Sequence, residues 1–136
     1  LGGGLNGDEL FAGAGNDVIY SGSDASSDML YGGSGADDMF GGKGNDTLSG
    51  GTGNDELFGG SGNDTFVCEA GFGDDSIGGF ASLGSNTIDL SALGLSGFGA
   101  LDVSQSGVDV IVDTGEGTIT LWNTSAGDIS ASDFVF

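Results

Sequence analysis

The chain has 136 residues, of which 31 are glycine and none is proline, and 21 acidic residues oppose a single basic one, Lys43, for a formal charge of −20. Without a basic patch it is not expected to bind DNA, RNA or anionic lipid, which are recognised through Lys and Arg. No apolar run approaches the roughly 18 residues of a membrane span, so membrane insertion is not expected. One cysteine, Cys68, allows no internal disulfide, so bound cations or disorder must offset the self-repulsion of this polyanion.

The first half of the chain has a period of nine residues. Between Gly32 and Val67 four units follow without a gap: GGSGADDMF, GGKGNDTLS, GGTGNDELF and GGSGNDTFV. Each unit has glycine at positions 1, 2 and 4, aspartate at position 6 and an apolar residue at position 8. A fixed period of this kind predicts a repeat architecture in which every unit is one structural element.

Four less regular units extend the period to eight: Gly3–Phe11, Ala12–Tyr20, Ser21–Tyr31 and Ala70–Gly78. The first has its third glycine displaced by one place, next to Asn6. The third is two residues too long, which a bulge at Asp24 and Ala25 accommodates. Because the repeats begin almost at once, we expect the chain to be the tail of a longer protein or a processed piece.

Each position of the unit predicts a local structure. Positions 1 to 6 predict a turn, because glycine adopts positive φ at little steric cost. Positions 7 to 9 predict a short strand whose middle residue points inward. Two units then form one coil with a strand on each of two facing sheets, so residues 1–78 are expected to form a parallel β-roll. The inward residues are Leu10, Ile19, Leu30, Met39, Leu48, Leu57, Phe66 and Ile77.

The pattern changes after Gly78, where glycine becomes less frequent and alternating strands are predicted at Asn86–Leu90, Leu101–Gln105, Val108–Val112, Thr118–Trp122 and Phe134–Phe136. Turns fall at Ser106-Gly107 and at residues 115–117. An open solenoid end exposes strand edges that invite aggregation. We therefore interpret residues 79–136 as an antiparallel β cap on the roll, which makes the whole chain all-β.

Position 6 is aspartate in all eight units: Asp8, Asp17, Asp28, Asp37, Asp46, Asp55, Asp64 and Asp75. Stacking brings the aspartates of units n and n+2 together with no basic residue between them, so bare carboxylates would repel. Carboxylate and carbonyl oxygens on a flexible loop suit calcium, whereas zinc and copper prefer imidazole or thiolate. We expect about six Ca²⁺ ions at Asp8/Asp28, Asp17/Asp37, Asp28/Asp46, Asp37/Asp55, Asp46/Asp64 and Asp55/Asp75. The chain should then be unfolded at cytosolic calcium and folded outside the cell.

The units GGKGNDTLS and GGTGNDELF match the nonapeptide GGxGxDxUx, and the chain resembles the RTX (repeats-in-toxin) family of calcium-binding β-rolls. The segments NTIDLSAL, GTITLW and ISASDFVF resemble the C-terminal region of type I-secreted members such as serralysin-type metalloproteases. The resemblance implies a secreted, extracellular bacterial protein, exported by a type I ABC transporter together with an upstream domain. It also implies an uncleaved C-terminal signal that includes Asp133, Phe134, Val135 and Phe136, which on residue pattern alone form a last strand.

In this family the aspartate side chains and the carbonyls of the glycine turn bind calcium. At the matching positions this implies carbonyl ligands from Gly13, Gly15, Gly32, Gly33, Ser34, Gly35, Gly41, Gly42, Lys43, Gly44, Gly50, Gly51, Thr52, Gly53, Gly59, Gly60, Ser61, Gly62, Gly71 and Gly73.

Three functions remain open. The first is a non-catalytic domain that folds on calcium after secretion; the chain has no His or Arg, and metal binding accounts for the carboxylate pairs. The second is a structural or adhesive module that self-associates in an extracellular matrix or surface layer. The third is a carbohydrate-binding accessory module. The position-9 aromatics either support strand pairing or form a docking surface: Phe11, Tyr20, Tyr31, Phe40 and Phe58.

Overall fold

The computed structural model describes all 136 residues and contains fourteen β-strands and four short 3₁₀ turns. The strands are β1 (Gly2–Gly4), β2 (Glu9–Ala14), β3 (Val18–Gly22), β4 (Met29–Ser34), β5 (Asp38–Lys43), β6 (Thr47–Thr52), β7 (Glu56–Ser61), β8 (Thr65–Val67), β9 (Asp74–Gly78), β10 (Thr87–Asp89), β11 (Asp102–Ser106), β12 (Asp109–Asp113), β13 (Thr118–Leu121) and β14 (Phe134–Val135). The 3₁₀ turns are Ser91–Leu93, Phe98–Ala100, Ala126–Asp128 and Ala131–Asp133. No helix has the length and apolar character that a membrane span requires.

The strands form two sheets that together make a solenoid of about four turns. One sheet has the order β1-β3-β5-β7-β9-β13-β12-β11, and the other has the order β14-β10-β8-β6-β4-β2. Successive strands of the repeats alternate between the sheets, and each pairs in parallel with the strand two places later in the chain. The predicted two-sheet parallel β-roll is therefore confirmed.

The strands are longer than the sequence predicts. β6, for example, contains positions 7 to 9 of one unit and positions 1 to 3 of the next, so the tight turn is only Gly53-Asn54-Asp55. The reason is that a glycine at position 2, such as Gly51 with φ 99°, keeps its place in the strand ladder, where it pairs with Gly33. The expected six-residue turn was therefore wrong by three residues per unit.

The eight predicted inward residues are all buried, and none exposes more than 9% of its surface. They join residues of the C-terminal half, including Ile88, Ile119 and Phe134, in one apolar cluster of 19 residues. Cys68 is buried in the same cluster, and burial raises the pKa of its thiol. The solenoid interior is therefore a continuous core into which the C-terminal strands are built.

The C-terminal half is antiparallel only in part. β11, β12 and β13 form an antiparallel meander, but β13 pairs in parallel with β9, β10 with β8 and β14 with β10. The expectation of a wholly antiparallel cap was wrong, because Ile88 and Phe134 continue the buried column of the repeats and bring their strands into its register. Both sheets run across residue 78 without a break.

The position-9 aromatics stack along the outside of both sheets. On the eight-stranded sheet Tyr20, Phe40 and Phe58 stack with ring centroids 4.8 and 5.0 Å apart, and Trp122 of the C-terminal half packs against Phe58 at 5.5 Å. On the other sheet Phe11 stacks on Tyr31 at 4.7 Å. Stacked rings on paired strands stabilise a sheet, so these contacts support strand pairing up to the junction with the C-terminal half.

Candidate calcium sites between stacked turns

A ladder of hydrogen bonds joins the position-6 aspartates along each edge of the solenoid. In every case the backbone N–H of one aspartate donates to Oδ1 of the aspartate two units later, at 2.8 to 3.0 Å. The pairs joined in this way are Asp8/Asp28, Asp17/Asp37, Asp28/Asp46, Asp37/Asp55, Asp46/Asp64 and Asp55/Asp75. The structure therefore brings together all six pairs that the repeat period predicts.

The second carboxylate oxygen of most of these aspartates has no partner. Six buried Oδ2 atoms make no hydrogen bond, namely those of Asp8, Asp17, Asp37, Asp46, Asp55 and Asp64. A buried carboxylate oxygen without a partner is costly, because it has lost its hydration and gained nothing in exchange. These six atoms mark places where the fold itself supplies no positive charge or donor.

The position-1 glycines leave open the space that these oxygens face. A Cβ atom at Gly32 would collide with Oδ2 of Asp37 and lie 2.6 Å from the carbonyl oxygen of Gly50 in the next turn of the same edge. Gly41 has the same relation to Asp46 and to the carbonyl of Gly59. At these two positions a carboxylate oxygen and a backbone carbonyl thus approach a backbone that carries no Cβ atom. Ala12 takes position 1 of the second unit, where Oδ2 of Asp17 is likewise buried without a partner.

The carbonyls of the glycines at positions 2 and 4 face the next turn of the same edge. The carbonyl of Gly33 faces Gly51, and that of Gly35 faces Gly53, closely enough to exclude a Cβ atom at the later glycine. The carbonyls at position 3 accept a hydrogen bond from the backbone of a neighbouring turn. The carbonyl of Thr52, for example, accepts one from the amide of Gly35 at 2.9 Å. Position-3 carbonyls therefore have one lone pair committed and one left for a cation.

Burial and neighbouring carboxylates raise the pKa values of several aspartates in these gaps. Burial raises the pKa of Asp46 to about 7, and the neighbouring carboxylates of Asp64 and Asp28 add to the effect. Burial also raises the pKa of Asp75 to about 7, and it raises the pKa values of Asp55 and Asp64. A bound cation would oppose these shifts, because it favours the ionised form.

The donor set fits calcium. No three His, Cys, Asp or Glu side chains cluster in the structure, so a gap offers the carboxylates of two aspartates and otherwise backbone carbonyls. These are hard oxygen donors on glycine-rich loops, the ligands that Ca²⁺ takes in proteins, with no nitrogen or sulfur that would favour zinc or copper. The unpartnered oxygens and the space kept open by glycine are the two observations that support this fit.

Comparison with known proteins agrees with this geometry. The model of the RTX calcium-binding nonapeptide repeat matches residues 2–25, 24–48 and 31–66, in four copies. The fold is similar to the AlgE6R3 subunit of the mannuronan C5-epimerase of Azotobacter vinelandii, with 31% identity and a TM-score of 0.72 over 93% of this chain and 81% of that chain. The chain belongs to the RTX calcium-binding repeat family.

Two further solved structures resemble this RTX domain. The AlgE6R2 subunit of the same epimerase has 29% identity and a TM-score of 0.62, over 91% of both chains. The extracellular lipase LipA of Serratia marcescens has 18% identity and a TM-score of 0.52, over 98% of this chain and 39% of that chain, which shows a common fold alone. No curated protein sequence matches the chain.

The longer RTX unit departs from the others at its turn. Gly22 and Ser26 face Gly42 and Gly44, as the glycines at positions 2 and 4 do elsewhere, so residues 23–25 form the bulge. In this bulge Asp24 accepts hydrogen bonds from the amide of Asn6 at 2.6 Å and from the hydroxyl of Ser26 at 2.9 Å, which lower its pKa. The predicted bulge at Asp24 and Ala25 is therefore present, and its hydrogen bond from Asn6 connects it to the preceding turn of the same edge.

The first RTX unit also keeps its turn despite the displaced glycine. Asn6 takes position 4 with φ 78°, and the glycines at this position, such as Gly35 with φ 128°, also have positive φ. Asparagine tolerates this conformation better than most residues, so the unit remains in register and Asp8 reaches Asp28.

One residue of the aspartate ladder was not predicted from the sequence. Asn86 lies where a ninth unit would place its aspartate, and its Oδ1 accepts the amide of Asp64 at 2.8 Å. The segment Gly84-Ser85-Asn86-Thr87-Ile88 repeats positions 4 to 8 with asparagine in place of aspartate. In the sequence, only Gly84, two places before Asn86, indicates that Asn86 belongs to the ladder.

Proposed function

We propose that this RTX domain is a non-catalytic calcium-binding module that folds when calcium binds and so stabilises an upstream extracellular domain. The observation that carries the proposal is the row of buried carboxylate oxygens without partners between the coils. Because the only basic side chain, Lys43, is exposed, a cation from solution is the natural partner of these oxygens. Without it, the coils repel one another.

The expected stabilisation is as large as that of a whole domain. Extracellular calcium modules bind at roughly 10⁻⁴–10⁻³ M, and at ten times the dissociation constant each site contributes about 1.4 kcal/mol. Five such sites, if additive, contribute roughly 7 kcal/mol, which is comparable to the total stability of a typical domain. Calcium alone can therefore decide whether the domain is folded.

The proposed number of ions rests on the geometry of the pairs. In five of the six expected pairs the first aspartate has a free buried oxygen: Asp8/Asp28, Asp17/Asp37, Asp37/Asp55, Asp46/Asp64 and Asp55/Asp75. In the sixth, Asp28/Asp46, the hydroxyl of Ser21 donates to the carbonyl of Gly41 across the same gap. We assign an ion to each of the five.

Secretion belongs to the same proposal. RTX repeats occur in secreted bacterial proteins, and the C-terminal residues Asp133 to Phe136 would direct export through a type I ABC transporter. Phe134 is buried and lies in β14 beside β10, so a transporter would read this signal before the domain folds. Low cytosolic calcium would keep the chain unfolded for export. Replacing Asp133, Val135 and Phe136 with serine, while the buried Phe134 is kept, should abolish export of a fused passenger but leave calcium binding in place.

Circular dichroism tests the folding claim. The chain in excess EDTA should lack the β signal, and millimolar Ca²⁺ should restore it, whereas Mg²⁺ at the same concentration should not. A β signal that is equal in EDTA and in Ca²⁺ would refute calcium-dependent folding. A normal Ca²⁺ response together with unimpaired export of the serine variant would refute only the export signal.

A second candidate function is a carbohydrate-binding accessory module. It is favoured by the similarity to two subunits of a mannuronan C5-epimerase over more than nine-tenths of this chain. Since Lys43 is the only cationic side chain, binding of an anionic polysaccharide would need bridging calcium. Cosedimentation with mannuronan in Ca²⁺, compared with a Lys43→Ala variant and with a neutral glucan, tests it. Absence of cosedimentation in Ca²⁺ eliminates this candidate, and self-association seen in the same runs would support the structural or adhesive role.

A further inference from the structure

The two aspartate rows end differently at the C-terminal side of the roll. On one edge Asp75 lies in register with Ile119 of β13, which offers no oxygen. On the other edge Asp64 lies in register with Asn86, which is buried with 7% of its surface exposed. The match to the RTX nonapeptide model stops at residue 66, so the turn that holds Asn86 lies outside the recognised repeats.

The backbone of this last turn nevertheless has the geometry of an RTX turn. Gly84 has φ 131°, against 130° for Gly62 at the equivalent place. The amide of Ser85 donates to Oδ1 of Asn63 at 2.9 Å, and the amide of Thr87 donates to the carbonyl of Asp64 at 2.8 Å. The corresponding atoms one coil earlier make the same bonds at the same distances.

Three oxygen atoms lie along the contact between residues 59–64 and 81–86. Asp64 is 1% exposed, and its Oδ2 has no hydrogen-bond partner beside Gly59, in the position that Oδ2 of Asp37 takes beside Gly32. The carbonyl of Gly62 faces Gly84 closely enough to exclude a Cβ atom. Oδ1 of Asn86 stands where the other turns have an aspartate oxygen.

The orientation of the Asn86 amide follows from its hydrogen bonds. Its Nδ2 donates to the carbonyl of Phe80 at 3.0 Å, while its Oδ1 accepts from Asp64. A flipped Asn86 amide would place its NH₂ against the amide N–H of Asp64 and its oxygen against the carbonyl of Phe80. The hydrogen bonds therefore place Oδ1 of Asn86 on the side of Asp64. The same Nδ2 fills the place of the second carboxylate oxygen, which explains why the row of aspartates ends here.

We propose a calcium site between residues 59–64 and 81–86, formed by the Asp64 carboxylate, the Asn86 amide oxygen and the Gly62 carbonyl. This site rests on the proposed function, since it uses the calcium chemistry of the repeats. Amide oxygen is an ordinary calcium ligand, but affinity falls with the number of charged ligands. With one carboxylate instead of two, this is the weakest site of the row. The site joins β8, the last repeat strand of its sheet, to β10. Through β10 it is connected to the C-terminal strand β14.

The test is the number of calcium ions bound to the full chain, measured by equilibrium dialysis, together with the affinity of the weakest site from calorimetry. Asn86→Leu should bind one ion fewer than the natural chain, because leucine offers no oxygen and an apolar residue is accommodated at the equivalent place by Ile119. Asn86→Asp should keep the number of ions and bind the weakest one on the order of tenfold more tightly. Asn123→Asp makes the same chemical change at an exposed residue after β13, outside the stacked turns, and should leave both values unchanged.

An equal number of ions in Asn86→Leu and the natural chain, or an unchanged weakest affinity in Asn86→Asp, would overturn the site. If Asn86→Leu does not fold in calcium, the affinity of Asn86→Asp decides. A natural chain that binds no calcium at all would contradict the proposed function instead, and the two failures are therefore distinguishable.

Discussion

The hydroxyl of Ser21 donates a hydrogen bond to the carbonyl oxygen of Gly41 in the next coil of the same edge. Ser21 is at position 1 of its unit and is 1% exposed. At Gly32 and Gly41 the corresponding space is open, and a free carboxylate oxygen and a carbonyl face it. A serine side chain thus occupies, at Asp28/Asp46, the space that is free of a side chain at Gly32 and Gly41, and Asp28 is not among the aspartates with a free buried oxygen.

Ser21→Gly should therefore let the chain bind one more calcium ion. The substitution removes the side chain and its hydrogen bond, which frees the Gly41 carbonyl for a metal. Ser23→Gly, in the exposed bulge of the same turn, is the matched control and should bind as many ions as the natural chain. Equilibrium dialysis at millimolar calcium measures the number of bound ions. An equal number in Ser21→Gly and the natural chain would show that the Ser21 side chain does not keep calcium out of this gap.

Asp46→Asn should have opposite effects with and without calcium. Asp46 is buried, accepts the amide of Asp28 and lies between two carboxylates. In EDTA, an amide that keeps the hydrogen bond and loses the charge should increase the folded fraction, seen as a stronger β signal in circular dichroism than that of the natural chain. In millimolar calcium, loss of a ligand should lower stability by roughly 1–3 kcal/mol. Exposed Glu56→Gln is the control for charge alone. Destabilisation of Asp46→Asn in EDTA would contradict the account.

The calcium-free chain should gain structure on acidification. The pKa of Asp46 and of Asp75 in the folded chain is about 7, above the ordinary 3.8. The folded form therefore holds protons that the unfolded chain releases between these values, so stability is greatest below about pH 4 and falls as the pH rises to 7. Protein depleted of calcium by ion exchange should show a β signal at pH 4 that fades by pH 7. A β signal that weakens on acidification would contradict this prediction.

Two glycine substitutions separate backbone strain from coil stacking. Gly53 and Gly97 have nearly the same φ, 133° and 132°, but a Cβ atom at Gly53 would collide with the carbonyl of Gly35, whereas one at Gly97 meets nothing within 4 Å. Gly97→Ala should cost only the strain of the conformation, about 1–3 kcal/mol. Gly53→Ala should cost more and should also weaken calcium binding. Thermal unfolding in calcium compares the two variants, and equal losses would mean that the carbonyl approach is unimportant.

The parts of the fold that follow the nine-residue period could be predicted from the sequence. Position 8 identifies the core and position 6 the aspartate ladder, because both depend on one side chain repeated in register. The strand lengths were missed, since glycines at positions 1 and 2 resemble a turn in sequence yet remain in the ladder. Asn86 was missed because asparagine replaces the one residue that identifies the ladder. The effect of Ser21 depends on a contact with Gly41, twenty residues away, which no local pattern contains.

The central claim is that calcium, bound between the coils, decides whether this chain is folded. Small-angle X-ray scattering of the full chain, first in EDTA and then in millimolar Ca²⁺, tests it most directly. The account predicts a radius of gyration near 38 Å without calcium, typical of an unfolded chain of this length, and a contraction toward roughly 14 Å with it. A compact particle of the same radius in both conditions would contradict the claim.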